Sequence, residues 1–255
     1  MTLRLFWIGW LFNLKTLTNS LFFVLISIMQ PIIFASIAFF MVDTGNSSGT
    51  LLYVALGAGL MGVWSATLFG SGGAIQWQRW QGTLELLVGA PPPFVAVLLP
   101  MTVATATLGL YSIVATLVWG RIFFGVPLDF AEPFQLAVAL PTTILSLGML
   151  GLLLASTFVL YRHANAFSNL LEYPVWLVTG LLVPLSLLPG WVGPLSWVLA
   201  PTWGMRAIRE AAFGGDAWPE IALCGALGVV YVALGALALR NFERLARDRA
   251  TLSLT

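Results

Sequence analysis

Lysine, histidine and cysteine each occur once in this 255-residue sequence, and Asp, Glu, Lys and Arg together make up only 8% of it. A soluble globular domain carries roughly 25% charged residues. So few charges cannot cover a water-facing surface. With 59% hydrophobic residues and a mean hydropathy of +0.95, the solvent for most of the chain is lipid. One cysteine excludes an internal disulfide and a cysteine-based metal cluster; Cys224 lies in an apolar run and reads as a small packing residue. One histidine, His163 beside Arg162, supports neither a metal site nor a catalytic triad. One lysine excludes a phosphate-binding loop, because Lys15 follows "LFNL" and not the glycines such a loop needs. The net charge is +1 and no basic stripe is present, which excludes nucleic acid as a partner. Arginine outnumbers lysine ten to one, a bias that points to a GC-rich bacterial genome.

What is abundant is uncharged apolar sequence. A helix needs roughly 20 such residues to cross the hydrocarbon core, and spans are predicted near 20–42, 51–73, 95–118, 134–160, 170–183 and 219–239. The first run is longer than the roughly 7–15 apolar residues of a signal peptide and reads as a retained helix. The charge-free stretch from Tyr173 to Met205 is too long for one span. Its 33 residues would extend about 50 Å against a core of about 30 Å. Pro184, Pro189, Pro194 and Pro201 also interrupt it, each removing a backbone donor. The stretch therefore reads as a helix to about Val183 followed by a re-entrant or interfacial hairpin over 184–215, sheltered by protein or by a water-lined cavity.

Six spans put Arg4, Lys15, Arg79, Arg162, Arg240, Arg244, Arg247 and Arg249 on one side, and only Arg121, Arg206 and Arg209 on the other. The excess of cations marks the cytoplasmic side, so both termini are predicted to be cytoplasmic. Residues 1–19 read as an interfacial elbow helix, with Leu3, Trp7, Trp10 and Leu14 on one face. In the second span Ala58, Gly62, Ala66 and Gly70 recur every four residues, a spacing that lets helices approach closely in lipid. "GAGLMG" (Gly57 to Gly62) fits a dinucleotide-binding pattern but lies inside an apolar span, where helix packing accounts for it. No predicted span carries an ionisable group near its middle, which disfavours a proton relay. Glu172 reads as interfacial.

One polar patch stands out, "QRWQGTLELLVGAPPP" (Gln78 to Pro93), in the predicted cytoplasmic segment 74–93. Read as a helix, it places Trp77, Trp80, Leu84 and Leu87 along one face and Gln78, Arg79, Gly82 and Glu85 opposite. Such a segment can lie on the membrane and offer its polar side to a cytoplasmic partner, and the prolines end it.

The patch resembles the cytoplasmic motif of ABC type-2 transporter permeases, the membrane subunits of drug, polysaccharide and lipid exporters. The matching core is Arg79, Gly82, Thr83, Leu84, Glu85, Leu86 and Pro91; Gln78 stands where many members carry an acidic residue. "GLLVPLSLLPGWVGPLSWVLAPTW" (Gly180 to Trp203) is similar to the family's proline-punctuated segment before the last span. The resemblance implies an all-α integral membrane protein forming a single transmembrane domain over 1–255, in the plasma (cytoplasmic or inner) membrane. It implies a non-catalytic exporter permease for an amphiphilic, drug-like or lipid-linked substrate. Its partners would be two ATPase subunits, a second permease subunit (the same or homologous) and membrane lipid. ATP and Mg would be bound by the ATPase, leaving no cofactor, metal or catalytic residue in this chain. Gln78, Arg79, Gly82, Thr83 and Glu85 would couple to the ATPase. The rival reading is a non-enzymatic membrane scaffold or assembly subunit. An intramembrane enzyme lacks any paired Ser/His, Asp/Asp or metal set within the spans.

The predicted orientation is tested by single cysteines in a Cys224→Ala background. Arg79→Cys is expected to react only with reagents that reach the cytoplasm, and Asp129→Cys and Asp216→Cys with impermeant reagent from outside. Outside-only labelling at position 79 overturns the orientation.

Overall fold

The computed structural model describes residues 3–42, 48–83, 86–87, 90–158, 164–181 and 183–249, and no strand occurs among them. The helices are α1 (Leu3–Asn19), α2 (Leu21–Val42), α3 (Ser48–Trp80), α4 (Phe94–Leu108), α5 (Leu110–Phe124), α6 (Pro133–Phe158), α7 (Ala164–Val178), α8 (Val192–Trp197), α9 (Ala200–Phe213) and α10 (Trp218–Arg249). Four stretches are long and apolar enough to cross a membrane: Leu51–Gly73, Phe94–Phe124, Pro133–Phe158 and Trp218–Phe242. The pair α1 and α2 qualifies as a fifth if it is taken together across its 73° bend. The chain is a multi-pass membrane protein.

Polarity is arranged for lipid. Large apolar side chains point outward on α2 (Met29, Ile33, Ile37), α5 (Val114, Val118, Ile122) and α10 (Val229, Leu234, Leu237). Hydroxyl side chains lie inside, where many bond back to the preceding turn: Thr67 to Val63 O, Ser71 to Thr67 O and Thr143 to Ala139 O, at 2.6–2.8 Å. Such back-bonding satisfies a buried hydroxyl without a partner helix.

Close approach between helices rests on small residues. A Cβ on Gly62 would stand 2.5 Å from Ser112 Cβ on α5 and 3.0 Å from Pro31 Cγ on α2, and one on Gly70 would collide with Thr105 on α4. Ala58 is buried, and Ala66 and Gly70 are half-buried. The predicted span 95–118 is instead the longer stretch Phe94–Phe124, two helices meeting at Gly109. There a Cβ would lie 2.7 Å from Val63 Cα, so α3 crosses this stretch with backbone nearly on backbone.

Helices α6 and α10 run side by side in the same direction. Gln135 Oε1 accepts from Ala217 N at 2.7 Å, Ser146 Oγ donates to Cys224 O at 2.9 Å, and Gly235 lies against Leu152 and Leu153. The chain must therefore return between them, and α7 carries it back antiparallel to α3. Gly72 faces Ser168, Ser65 faces Glu172, and Gly57 faces Leu181. The predicted span 170–183 differs from this helix, which has 15 residues and so measures about 22 Å, short of a core of about 30 Å. It starts earlier than predicted and ends before Gly180, whose φ is +76°.

Beyond it the proline-rich stretch forms a 3-10 turn (Leu185–Leu187), then α8 and α9. Pro184 precedes the turn and Pro201 sits in the first turn of α9, places where a missing N–H costs nothing. Tyr231 fixes the start of α9: Ala200 N donates to its Oη at 2.9 Å, and that hydroxyl donates to Val198 O at 2.6 Å. Tyr231 lies 13 residues into α10, about 20 Å along it. The end of α9 is bound at the start of α6, where Ala131 N and Glu132 N donate to Ala212 O and Ala211 O at 3.1 and 3.0 Å. Helix α1, the predicted elbow, lies across α4, with Trp10 Nε1 donating to Thr107 Oγ1 at 3.2 Å and Gly9 against Pro100.

The glycine contacts give a paired prediction. Gly62→Val overpacks a full helix crossing and is expected to cost about 1–3 kcal/mol. Gly73→Ala meets nothing within 4 Å and is expected to gain about 0.5–1 kcal/mol of helix propensity. Unfolding of the purified variants in detergent checks both; equal stabilities would contradict the packing.

Candidate functional site

Helix α3 holds 33 residues, about 50 Å of unbroken helix, so it continues for about two turns beyond the apolar stretch that ends at Gly73. Gly82 stops it. Its φ is +67°, the left-handed conformation that glycine adopts without strain, and Thr83 N donates back to Gln78 O at 2.9 Å. That six-residue closure is a Schellman cap. Thr83 Oγ1 also donates to Gln78 Oε1, so two of the predicted coupling residues bond each other across the cap.

The patch is therefore not one amphipathic helix. Trp80, 69% exposed, ends α3, and the chain turns at Gly82 before a new turn begins with Leu87 N donating to Thr83 O at 3.1 Å. The expected shared face of Trp77, Trp80, Leu84 and Leu87 is broken by the cap. Gly82 is exposed and a Cβ on it would meet nothing within 4 Å. Gln78 and Thr83 are half-buried. Arg79 lies on the last turn of α3, but its side chain, like that of Trp77, lies outside the described residues, as do Leu84, Glu85, Arg162 and His163. Pro91 and Pro93 are exposed, and Pro93 caps the start of α4.

Two ionisable side chains lie inside the bundle where the sequence placed them at its surface. Glu172, expected at the interface, is only 4% exposed. Its Oε1 accepts from Ser65 Oγ at 2.7 Å and from Gln30 Nε2 at 3.1 Å, joining α7 to α3 and α2. Helix α7 begins at Ala164, eight residues earlier, and carries the carboxylate inward to the level of Ser65, near the middle of the Leu51–Gly73 stretch. Ser65 and Gln30 also line a cavity of about 80 Å³ beside Gly62, Ala66 and Gly70.

Arg209 on α9 is the second. Its Nη1 donates to Tyr53 Oη at 2.6 Å and to Gly180 O at 2.9 Å, and its Nη2 reaches Leu181 O at 3.4 Å. The guanidinium carbon lies 3.4 Å from the centroid of the Tyr53 ring. The guanidinium stays charged at neutral pH, as arginine does throughout proteins. No carboxylate pairs with it among the described residues. It borders a cavity of about 340 Å³ at the end of α3 remote from Gly82, lined also by Thr179, Thr202, Arg206, Glu210 and Phe213. The readable signal was the spacing of Thr202, Arg206 and Arg209, which share one face of a helix.

Glu172→Leu is expected to destabilise the fold by about 1–3 kcal/mol for each donor it orphans, Ser65 and Gln30. Glu172→Gln keeps an acceptor oxygen and is expected to retain most of that stability. Detergent unfolding of the two variants side by side is the check; equal loss in both would mean that these hydrogen bonds do not hold α7.

Among the described residues no group of three or more His, Cys, Asp or Glu side chains could hold a metal ion. No curated protein matches the chain. A family model described as ABC-2 type transporter matches residues 59–213, more than half of the sequence, including the Gln78–Pro93 patch and the segment from Gly180 to Trp203. Families of this kind supply the membrane component of a transporter and work with an ATPase subunit. The chain belongs to the ABC-2 type transporter family.

Proposed function

We propose that this chain is the permease of an exporter powered by separate ATPase subunits, and that residues Gln78 to Glu85 form the surface on which the ATPase acts. The observation that carries the reading is the continuity of α3. One helix runs from Tyr53 through the apolar stretch to Trp80 and is closed by the Gly82 cap, so a push at the cap is delivered along a rigid rod. The exposed turn at Gly82 offers that push a place to land, with Gln78 and Thr83 bonded beneath it. Arg79 and Glu85 complete the coupling surface on this reading. ATP and Mg belong to the ATPase, present in two copies, and a second permease subunit completes the pathway.

The membrane arrangement proposed with it has six crossings, in the plasma membrane, with both termini in the cytoplasm. Helices α2, α3, α4 with α5, α6 and α10 make five of the crossings, and the short α7 together with the broken segment that follows it makes the sixth. Residues 184–215 enter from the outer side to the level of Tyr231 and return along α9. The substrate is an amphiphile, drug-like or lipid-linked, in keeping with a bundle whose outward faces are apolar. A scaffold role would leave transport indifferent to the Gly82 surface.

Gly82 separates bulk from backbone strain. Gly82→Asn adds a small side chain that tolerates the left-handed conformation, and export is expected to remain near that of the unaltered chain. Gly82→Ala carries about 1 kcal/mol of strain without bulk and is expected to behave similarly. Gly82→Trp places a large ring on the exposed turn and is expected to reduce export by about tenfold or more, at unchanged membrane abundance. Export in cells, with abundance and ATPase co-purification measured together, is the readout. Full export by Gly82→Trp at normal abundance would remove the patch from the mechanism.

A further inference from the structure

We propose that the cavity at the end of α3 remote from Gly82 binds the phosphate headgroup of an anionic amphiphile. Its volume of about 340 Å³ falls within the roughly 300–1,000 Å³ of small-molecule pockets. Thr202, Arg206, Arg209 and Phe213 present one face of α9 to it, and Tyr53, Thr179 and Gly180 close it from α3 and the end of α7.

Three observations point to an anion. First, Arg209 is a buried cation without a carboxylate partner among the described residues. Carbonyl oxygens and Tyr53 occupy both Nη atoms, while its Nε is buried and unpartnered. A buried charge held only by dipoles is one that an anion stabilises. Second, the Thr202 hydroxyl is 0% exposed and its Oγ1 has no hydrogen-bond partner, leaving a donor in the wall of the cavity. Third, Arg206 lies one turn from Arg209 with its guanidinium carbon 5.0 Å from the Trp203 ring centroid, and it too lacks an ion pair among the described residues. The one acid in the lining, Glu210, is exposed and turned back against Gly215, away from the guanidinium of Arg209.

Depth argues that the phosphate arrives on an amphiphile. Tyr53 is the third residue of the apolar stretch Leu51–Gly73, so the cavity opens where hydrocarbon gives way to headgroups. Leu185, Met205 and Phe213 in the lining suit the glycerol and first methylenes below a phosphate. The site stands whether or not the chain exports anything, and its test uses no transport or ATPase readout.

The full chain, purified in nonionic detergent, is titrated with short-chain phosphatidylglycerol, short-chain phosphatidylcholine, glycerol phosphate and inorganic phosphate, with the thermal midpoint as readout. The anionic lipid is expected to bind at least about tenfold more tightly than the zwitterionic one. Thr202→Val and Arg206→Gln are each expected to weaken it about tenfold. Both leave the Arg209 contacts intact, and Lys15→Gln, which alters an exposed cation on α1, is expected to change nothing. Glycerol phosphate or phosphate binding as tightly as the lipid, with the same dependence on Thr202 and Arg206, would also support the site and show that the headgroup alone suffices. Equal binding of the two lipids, or a preference that survives both cavity substitutions, overturns it.

Discussion

Hydrocarbon neither donates nor accepts a hydrogen bond, and every polar group in this bundle is placed under that constraint. Many serines and threonines, Thr67, Ser71 and Thr143 among them, meet it within their own helices, and Ser65 and Ser146 meet it on a neighbouring one. The break after α7 meets it through Arg209. Ending a helix leaves carbonyls without partners, and here the guanidinium takes those of Gly180 and Leu181 while resting on the Tyr53 ring. A cation at a helix C-terminus is favourable for the same reason that the orphan carbonyls are costly. The proline-rich stretch can thus leave the helical conformation inside a membrane protein because a charge from a later helix reaches back to it.

Much of this was written in the sequence, and the exceptions have a common cause. Long charge-free runs located the apolar stretches of α3, α6 and α10 within a few residues, since a run of apolar residues without charge has few other uses. The prolines of 184–201 located the broken segment, because each removes a donor from a helix interior. Helix α7 begins before its apolar run does: Asn165 and Asn169, following Arg162 and His163, look like loop, and a sequence reading therefore puts Glu172 at the edge of a span instead of inside the helix. In one dimension Arg209 is a cation of an outer segment, and nothing in the local sequence shows Tyr53, 156 residues earlier, closing over it. The Gly82 stop was hidden for another reason. A lone glycine among polar residues is compatible with a helix passing through, and only its backbone angle shows that the helix ends.

Glu172 and Arg209 therefore do comparable work at two depths. Both belong to the returning segment, α7 to α9, and both are bonded to α3, one through Ser65 and the other through Tyr53. Twelve residues separate those partners, about 18 Å along the helix. Sliding α3 along its axis would break both sets of bonds at once, at about 1–3 kcal/mol for each polar group left unpaired. A tilt of α3 that carries α7 and α9 with it breaks neither.

The pins decide what can move. With α7 and α9 fastened to α3 at two levels, and Gly109 seated against Val63, a push at the Gly82 turn cannot be absorbed as slippage along α3. It is passed to α3, α7 and α9 together, and through Gln30 to α2 and through Tyr231 to α10. The lipid-facing side of α10, where Val229, Leu234 and Leu237 are exposed, carries no such pin. The cavity beside Arg209 travels with the rigid group, since α3, α7 and α9 all contribute to its wall. A rigid tilt leaves that wall unchanged except at Leu185, which lies beyond the last pinned carbonyl, that of Leu181.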